Sequence, residues 1–219
     1  MKKILILLTI LVLITGCGKK NNISKQDFIA NDELSKNISM RSAVVKDKIL
    51  LFLTNDNQET VDIEIKIEYY NDKDKKIGSD EDIYSAILNK KEIALSFMIY
   101  EEYEYFKVYL STKESSYISL ENHLGISERQ DDENMKMVFN IKNNSDKKID
   151  YLELTIIYYK NDEIIGVESE FGAAIKPNAQ GKITLSYPLN DNFQALDFDN
   201  YKLYINEACA YNKEIQDEV

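Results

Sequence analysis

Apolar and polar residues alternate one by one along several stretches of this chain. Val61, Ile63, Ile65, Ile67 and Tyr69 are separated by Asp62, Glu64, Lys66 and Glu68. Ile93, Leu95 and Phe97 alternate in the same way, as do Ile183, Leu185 and Tyr187. A period of two puts the aliphatic residues on one face of a strand and the charged residues on the other. The β-branched and aromatic residues that dominate these runs suit a pleated, half-buried surface. Asn55-Asp56-Asn57, Asn143-Asn144-Ser145-Asp146 and Pro177-Asn178-Ala179-Gln180-Gly181 lie between the runs and carry turn chemistry.

The pattern also repeats. Ile63, Ile65, Ile67 and Tyr69 fall on Leu152, Leu154, Ile156 and Tyr158, about 89 residues further on. Leu53-x-Asn55 matches Ile141-x-Asn143, Ile77-Gly78 matches Ile165-Gly166, and Leu95-Ser96-Phe97 matches Leu185-Ser186-Tyr187, all in the same order. The chain therefore holds two copies of one domain, placed at 44–112 and 135–211. Each copy shows about five short strands and no helix-length run between them, which predicts an antiparallel sandwich of two sheets. An irregular barrel is the alternative.

The remaining stretches read as connectors. Residues 17–43 are expected to be a polar tether, with weak helical spacing at Phe28, Leu34 and Ile38 and a capping-box spacing at Ser24 and Asp27. Residues 113–134 read as an acidic linker and 212–219 as a tail.

The N-terminus has a different pattern. Lys2 and Lys3 precede an apolar run from Ile4 to Ile14 that only Thr9 interrupts. A run this short falls below the roughly 20 residues that span a bilayer, and reads as a secretory signal over 1–16. It ends in Ile14-Thr15-Gly16-Cys17, which resembles the lipobox of bacterial lipoproteins. The resemblance implies cleavage between Gly16 and Cys17 and diacylglyceryl transfer to the Cys17 thiol, with palmitate-type acyl chains holding the protein on the outer face of the cell membrane. An ordinary secreted protein is the alternative. The abundance of Lys, Asn and Ile fits an AT-rich Gram-positive genome.

The second copy carries a further resemblance. Val138-Phe139-Asn140-Ile141-Lys142-Asn143-Asn144-Ser145, then Tyr151-x-x-Leu154-x-Ile156, Tyr158-Tyr159, Ile165-Gly166 and Pro177-x-x-Gln180-Gly181 are similar to FxLYD-type immunoglobulin-like domains of bacterial surface lipoproteins. The match spans most of 135–206 and, more weakly, 48–112. It departs at the name-giving motif, where Ile67-x-Tyr69-Tyr70-Asn71 stands, and the first copy has Asn89-Lys90-Lys91 in place of the Pro-Gly turn. It implies an immunoglobulin-like sandwich and no catalytic residues.

Charge narrows the partners. The chain has 27 Lys and Arg against 38 Asp and Glu, a formal charge of −11 that loses two more positive charges with Lys2 and Lys3. No basic cluster offers to neutralise phosphates, so nucleic acid is not an expected partner. With 7 Gly, 2 Cys and 1 His, phosphate loops, disulfide scaffolds and multi-His metal sites are excluded. No metal and no cofactor is expected.

Candidate chemistry is correspondingly thin. His123 lies in the linker with no nucleophile elbow anywhere in the chain, and reads as a solvated side chain. Cys209 ends an apolar run beside Glu207 and reads as a small buried hydrophobe. Asp72-Lys73-Asp74 with Gly78 lacks the spacing of a calcium loop and reads as a hairpin turn. The carboxylates are too evenly spread to mark a glycosidase pair. Tyrosine is the exception, with 15 in the chain. Tyr100, Tyr103 and Tyr105, with Tyr70 and Tyr159 on strand faces opposite the aliphatics, form the candidate interaction surface, since Tyr brings contact area with a polar tip. Tyr109 and Tyr204 share that placement.

The reading is therefore a non-catalytic binding or accessory module of the cell envelope, anchored through Cys17. Its partner would be an envelope protein, a peptide or a glycan. The alternative is a structural spacer, or an immunity-type lipoprotein that sequesters a cationic peptide.

Overall fold

The structure is a computed structural model that describes residues 26–100 and 103–212. It is all-β, and consists of two tandem immunoglobulin-like sandwiches. The first contains β1 (Gln26–Ala30), β2 (Ile38–Val45), β3 (Lys48–Asn55), β4 (Val61–Tyr70), β5 (Lys76–Ile87), β6 (Glu92–Met98) and β7 (Tyr105–Glu114). The second contains β8 (Tyr117–Ser119), β9 (Leu124–Asp131), β10 (Lys136–Asn143), β11 (Tyr151–Lys160), β12 (Glu163–Phe171), β13 (Gln180–Ser186) and β14 (Asn200–Tyr211).

The copies have the same sheet order. In the first, β1-β7-β4-β5 faces β2-β3-β6; in the second, β8-β14-β11-β12 faces β9-β10-β13. A single 3-10 turn follows the first strand of each, at Ser35–Asn37 and Glu121–His123. The repeat is thus longer than the sequence pattern indicates, and both presumed connectors are largely domain. Residues 26–30 and 38–43, expected as tether, lie in strands β1 and β2; Phe28 lies in β1, Ile38 is a core residue, and no α-helix forms there. The expected linker supplies the end of β7 and all of β8 and β9. In both copies the chain just before the domain fills one edge of a sheet. β1 runs parallel to β7, whereas β8 runs antiparallel to β14.

Each sandwich has its own core. Ile63, Ile65, Ile67 and Tyr69 of β4 meet Ile49, Leu51 and Leu53 of β3. Leu152, Leu154, Ile156 and Tyr158 of β11 meet Met137, Phe139 and Ile141 of β10. Two repeated motifs have structural jobs. The paired tyrosines are buried and reach across the core to the end of the facing sheet: Tyr69 donates to Met98 O at 3.2 Å and Tyr158 to Ser186 O at 2.9 Å. Tyr158→Phe should therefore destabilise the second sandwich by about 1–2 kcal/mol in denaturant melts, the range for a lost buried hydrogen bond. The Ile-Gly pairs mark close approaches. A Cβ on Gly78 would lie 2.6 Å from the Tyr100 ring, and one on Gly166 would lie 2.4 Å from Pro188.

The two sandwiches also pack on each other. The outward side of β2-β3-β6 presents Val45, Leu50, Phe52 and Ala94, and that of β8-β14-β11-β12 presents Ile157, Val167 and Tyr204; together they form a third buried cluster. Polar contacts bind the same boundary. Asn206 accepts from the Ala94 amide at 3.0 Å and donates to the Ala94 carbonyl at 2.9 Å, which satisfies the free edge of β6. Lys48 donates to Val167 O at 2.9 Å, and Glu92 takes Arg41, Lys202 and the Tyr204 hydroxyl. The result is four sheets in succession. The two outer sheets have one solvated face, and the two inner ones meet over the Leu50, Phe52, Ile157 and Tyr204 cluster while their margins, as at Arg41, Tyr151 and Phe171, stay exposed.

Candidate interaction surface

The sheet β1-β7-β4-β5 turns one face away from the second sandwich. Because β4 and β7 alternate strictly, that face carries Glu64, Lys66, Glu68 and Tyr70 from β4, and Tyr105, Lys107, Tyr109 and Ser111 from β7. Tyr70 and Tyr105 are opposite each other in register. Their rings stack 5.0 Å apart at an angle of 4°. The Lys107 ammonium lies 5.3 Å above the Tyr70 ring, a cation–π contact. The Tyr70 hydroxyl donates to Glu68 at 2.7 Å, and Tyr105 donates to Asp74 at 3.0 Å. Lys76 also bonds Glu68 at 2.6 Å. The Lys76 ammonium and then the Tyr70 hydroxyl hold the Glu68 carboxyl down to about 2. Hydrogen bonding to Glu68 in turn pushes the Tyr70 hydroxyl well above its ordinary value, so the ring keeps its proton. The outcome is a stacked tyrosine pair held among fixed charges on the open face of the sheet. Beside it lies a shallow groove lined by Asn31, Glu64, Lys66, Glu68, Tyr109 and Ser111.

Tyr100 and Tyr103 lie beyond the end of β6, against buried Tyr69. Tyr100 packs on Tyr69 at 4.6 Å and is 37% exposed; Tyr103 meets Tyr69 edge-on at 6.3 Å. These two rings cap the core more than they extend the stacked pair. Tyr159 is elsewhere. It packs at the boundary between the sandwiches, next to the cluster containing Tyr204. The five tyrosines singled out from the sequence thus fall into three places, and only Tyr70 and Tyr105 form one surface. A strand position opposite the aliphatics marks solvent only where no second sheet covers it.

The far face of the molecule differs. Its strands β9, β10 and β13 present Ser127, Arg129, Lys136, Asn140, Lys142, Lys182 and Thr184, with no aromatic ring among these positions. A tyrosine group not apparent from the sequence lies on the sheet between. Tyr117 of β8 meets Tyr151 and Tyr211 edge-on at 5.7 and 5.4 Å, with Tyr151 and Tyr211 partly exposed. Its members come from three distant strands, so no local motif announces it.

The other candidates are quickly placed. His123 is exposed on the second 3-10 turn. Cys209 is fully buried, and burial followed by the nearby Glu207 pushes its thiol up to about 12, which leaves it unreactive. Residues 71–75 form a hairpin turn in which the Asn71 side chain accepts the Lys73 and Lys75 amides at 3.0 Å. Among the described residues, no group of three or more His, Cys, Asp or Glu is placed to hold a metal ion. Cys17 and Gly16 lie outside the described residues.

No protein-family model matches the chain, and no curated protein matches it significantly. Among solved structures it is similar to a red sea bream transglutaminase at 7% identity and a TM-score of 0.22, over 76% of this chain and 28% of that one. The chain thus spans under a third of that protein's length, and a likeness so loose assigns no activity.

Proposed function

We propose that this protein is a membrane-anchored lipoprotein that acts as a non-catalytic binding or accessory module on the extracytoplasmic face of the cell. One observation carries the reading. Of the two outer faces, one bears a stacked tyrosine pair ringed by charged groups, and the other is mostly polar, with Val138 as its apolar residue and no aromatic ring among its strand positions. Rigid tyrosines lose little entropy on contact, which is why such pairs serve recognition. The lipobox string Ile14-Thr15-Gly16-Cys17 supports the anchor. Strand β1 begins at Gln26, nine residues after Cys17, so the chain between reaches at most about 30 Å. An anchored first sandwich would stay within that distance of the bilayer, and the tyrosine pair would work close to the membrane. The partner would be an envelope protein, a peptide or a glycan. The net charge of −11 is what supports the second reading, in which a cationic peptide is sequestered.

Two steps test this. Cys17→Ser should move the protein from the membrane fraction to the medium or leave it unprocessed, with loss of incorporated labelled palmitate. Unchanged fractionation and labelling would refute the anchor. Crosslinking of intact cells with a C-terminal tag, followed by mass spectrometry, should then yield a recurrent envelope partner. Its yield should fall at least fivefold in a Tyr70→Ser, Tyr105→Ser double variant. Recovery without any partner would favour the spacer.

A further inference from the structure

The boundary between the sandwiches contains a carboxyl group in an unusual position. Glu153 projects from the outward side of β11, next to Leu152 and Leu154 on the core side. It is 3% exposed, and its Oε2 has no hydrogen-bond partner among the described residues. A carboxylate so placed has lost water on one oxygen and gained nothing in exchange, which strongly disfavours the charged form.

What faces it makes the position worse for a charge. On its own sheet, Glu207 of β14 is its registered partner, also buried, and Phe171 of β12 is opposite on the other side. From the first sandwich, Asp82 and Tyr84 of β5 approach it. Asp62 of β4 lies further along the same boundary, close to Glu207, Tyr117 and Cys209. The nearby cation is Lys91, which acts on Glu207 but is engaged by Glu121 of the second 3-10 turn. The polar groups that could help are committed. Glu207 accepts from the Ser85 amide at 2.5 Å, and Asn206, which favours the charged Glu153, divides its side chain between that carboxyl, Ala94 and Thr155. The boundary therefore gathers Asp62, Asp82, Glu153 and Glu207 from four strands of two domains, without a cation placed on Glu153.

We propose that this boundary is a proton-dependent latch, in which Glu153 must be protonated for the two sandwiches to stay fully docked, so that alkaline conditions loosen them. Burial, followed by Asp82 and Glu207, pushes the Glu153 carboxyl up to about 8 against the opposing effect of Asn206. Burial raises Glu207 as well. The direction follows from linkage. The docked form keeps a proton that the separated form releases, so docking is strongest near the ordinary carboxylate value and weakens as pH rises towards about 8. Above that value Glu153 is ionised in both forms and the dependence levels off. Such a latch would change the reach of the second sandwich from the first without changing either fold.

The Ala94 amide reports the docking, because it lies on the free edge of β6 and is bonded only across the boundary, to Asn206. The test is amide hydrogen exchange on the chain from residue 18 to 219, expressed as protection relative to intrinsic rates at each pH from 5 to 9. The latch predicts that protection at Ala94 falls by up to about tenfold per pH unit between about 5 and 8. Amides inside the sandwiches, such as Ile65 and Phe139, should keep theirs. Glu153→Gln, and separately Glu153→Leu, should hold Ala94 protection level across the range. A flat profile at Ala94 in the unaltered protein would overturn the proposal, as would an unchanged slope in the variants. Should neither variant fold, the carboxyl resonance of Glu153 in the unaltered chain decides: a midpoint near 8 supports the latch, and one near the ordinary value of 4.5 overturns it.

Discussion

Leu50→Asp is expected to part the two sandwiches while leaving each folded. Leu50 lies on β3 but points away from the first core, into the cluster with Phe52, Ala94, Ile157, Val167 and Tyr204. It is fully buried there. An aspartate at that position would lose about 1.5–3 kcal/mol of apolar burial. It would also place an unpaired carboxylate in a dry contact, a further penalty of several kcal/mol. The boundary has three means of answering: rearrange, protonate the intruder, or open. Opening is the least demanding, because both β2-β3-β6 and β8-β14-β11-β12 remain complete sheets with their own cores. Small-angle scattering should show a larger radius of gyration than for the parent chain. The amide of Ala94 should exchange at least a hundredfold faster. An unchanged radius with full Ala94 protection would mean that this cluster does not hold the sandwiches together.

Asn143→Ala should have the largest effect within one domain. Asn143 ends β10 with no exposed surface. Its Nδ2 serves the carbonyls of Lys147 at 2.7 Å, Ile175 at 3.1 Å and Lys176 at 3.3 Å. Its Oδ1 takes the Ser145 amide at 3.0 Å and the Ser145 hydroxyl at 2.6 Å. One side chain thus ties the turn after β10 to the segment leading into β13. Alanine would leave several buried groups without partners at about 1–3 kcal/mol each, and relaxation and water would recover part. We expect a loss of about 3–4 kcal/mol in chemical denaturation of the second sandwich. Asn143→Asp should be nearly as damaging, since an ionised carboxylate has no donor for the three carbonyls. A loss below about 1 kcal/mol would show that water replaces the side chain freely. Asn55 holds the same position in the first copy, bonded to Glu59 O, Ile87 O and Asn57, so its substitution should act on the first sandwich alone.

These asparagines show what the sequence makes legible. The spacing Leu53-x-Asn55 and Ile141-x-Asn143 was visible as a repeat because both copies need the same stitch at the same turn. The strands β4 and β11 were visible for the same reason, as their aliphatics recur in one order. Strands β1 and β8 were not. They are five and three residues long, too short for a period, and they exist because β7 and β14 offer an open edge. That is a long-range cause with no local trace. Strand β9 has charged residues along its outer face and so resembled an acidic linker, although Leu124 and Ile126 hold its inner face on the core.

The boundary itself had a signal that alternation hides. Ile49-Leu50-Leu51-Phe52-Leu53 in β3 is wholly apolar and Leu154-Thr155-Ile156-Ile157-Tyr158 in β11 carries no charge, whereas β4 has a charged face. A continuous apolar strand implies burial on both sides. Reading those two runs as two-sided would have placed Tyr159 and Tyr204 at a domain contact, and left Tyr70 and Tyr105 as the open pair. The acid cluster around Glu153 is a different matter. It is assembled from strands β4, β5, β11 and β14, and only the docking of the two copies brings its members together.

The most direct test of the account is a site-specific photo-crosslinker in living cells, placed at position 105 in one strain and at position 184, on the opposite outer face, in another. The account predicts a discrete crosslinked envelope partner from position 105 and none from position 184. Equal crosslinking from both positions, or a partner captured only through position 184, would contradict it.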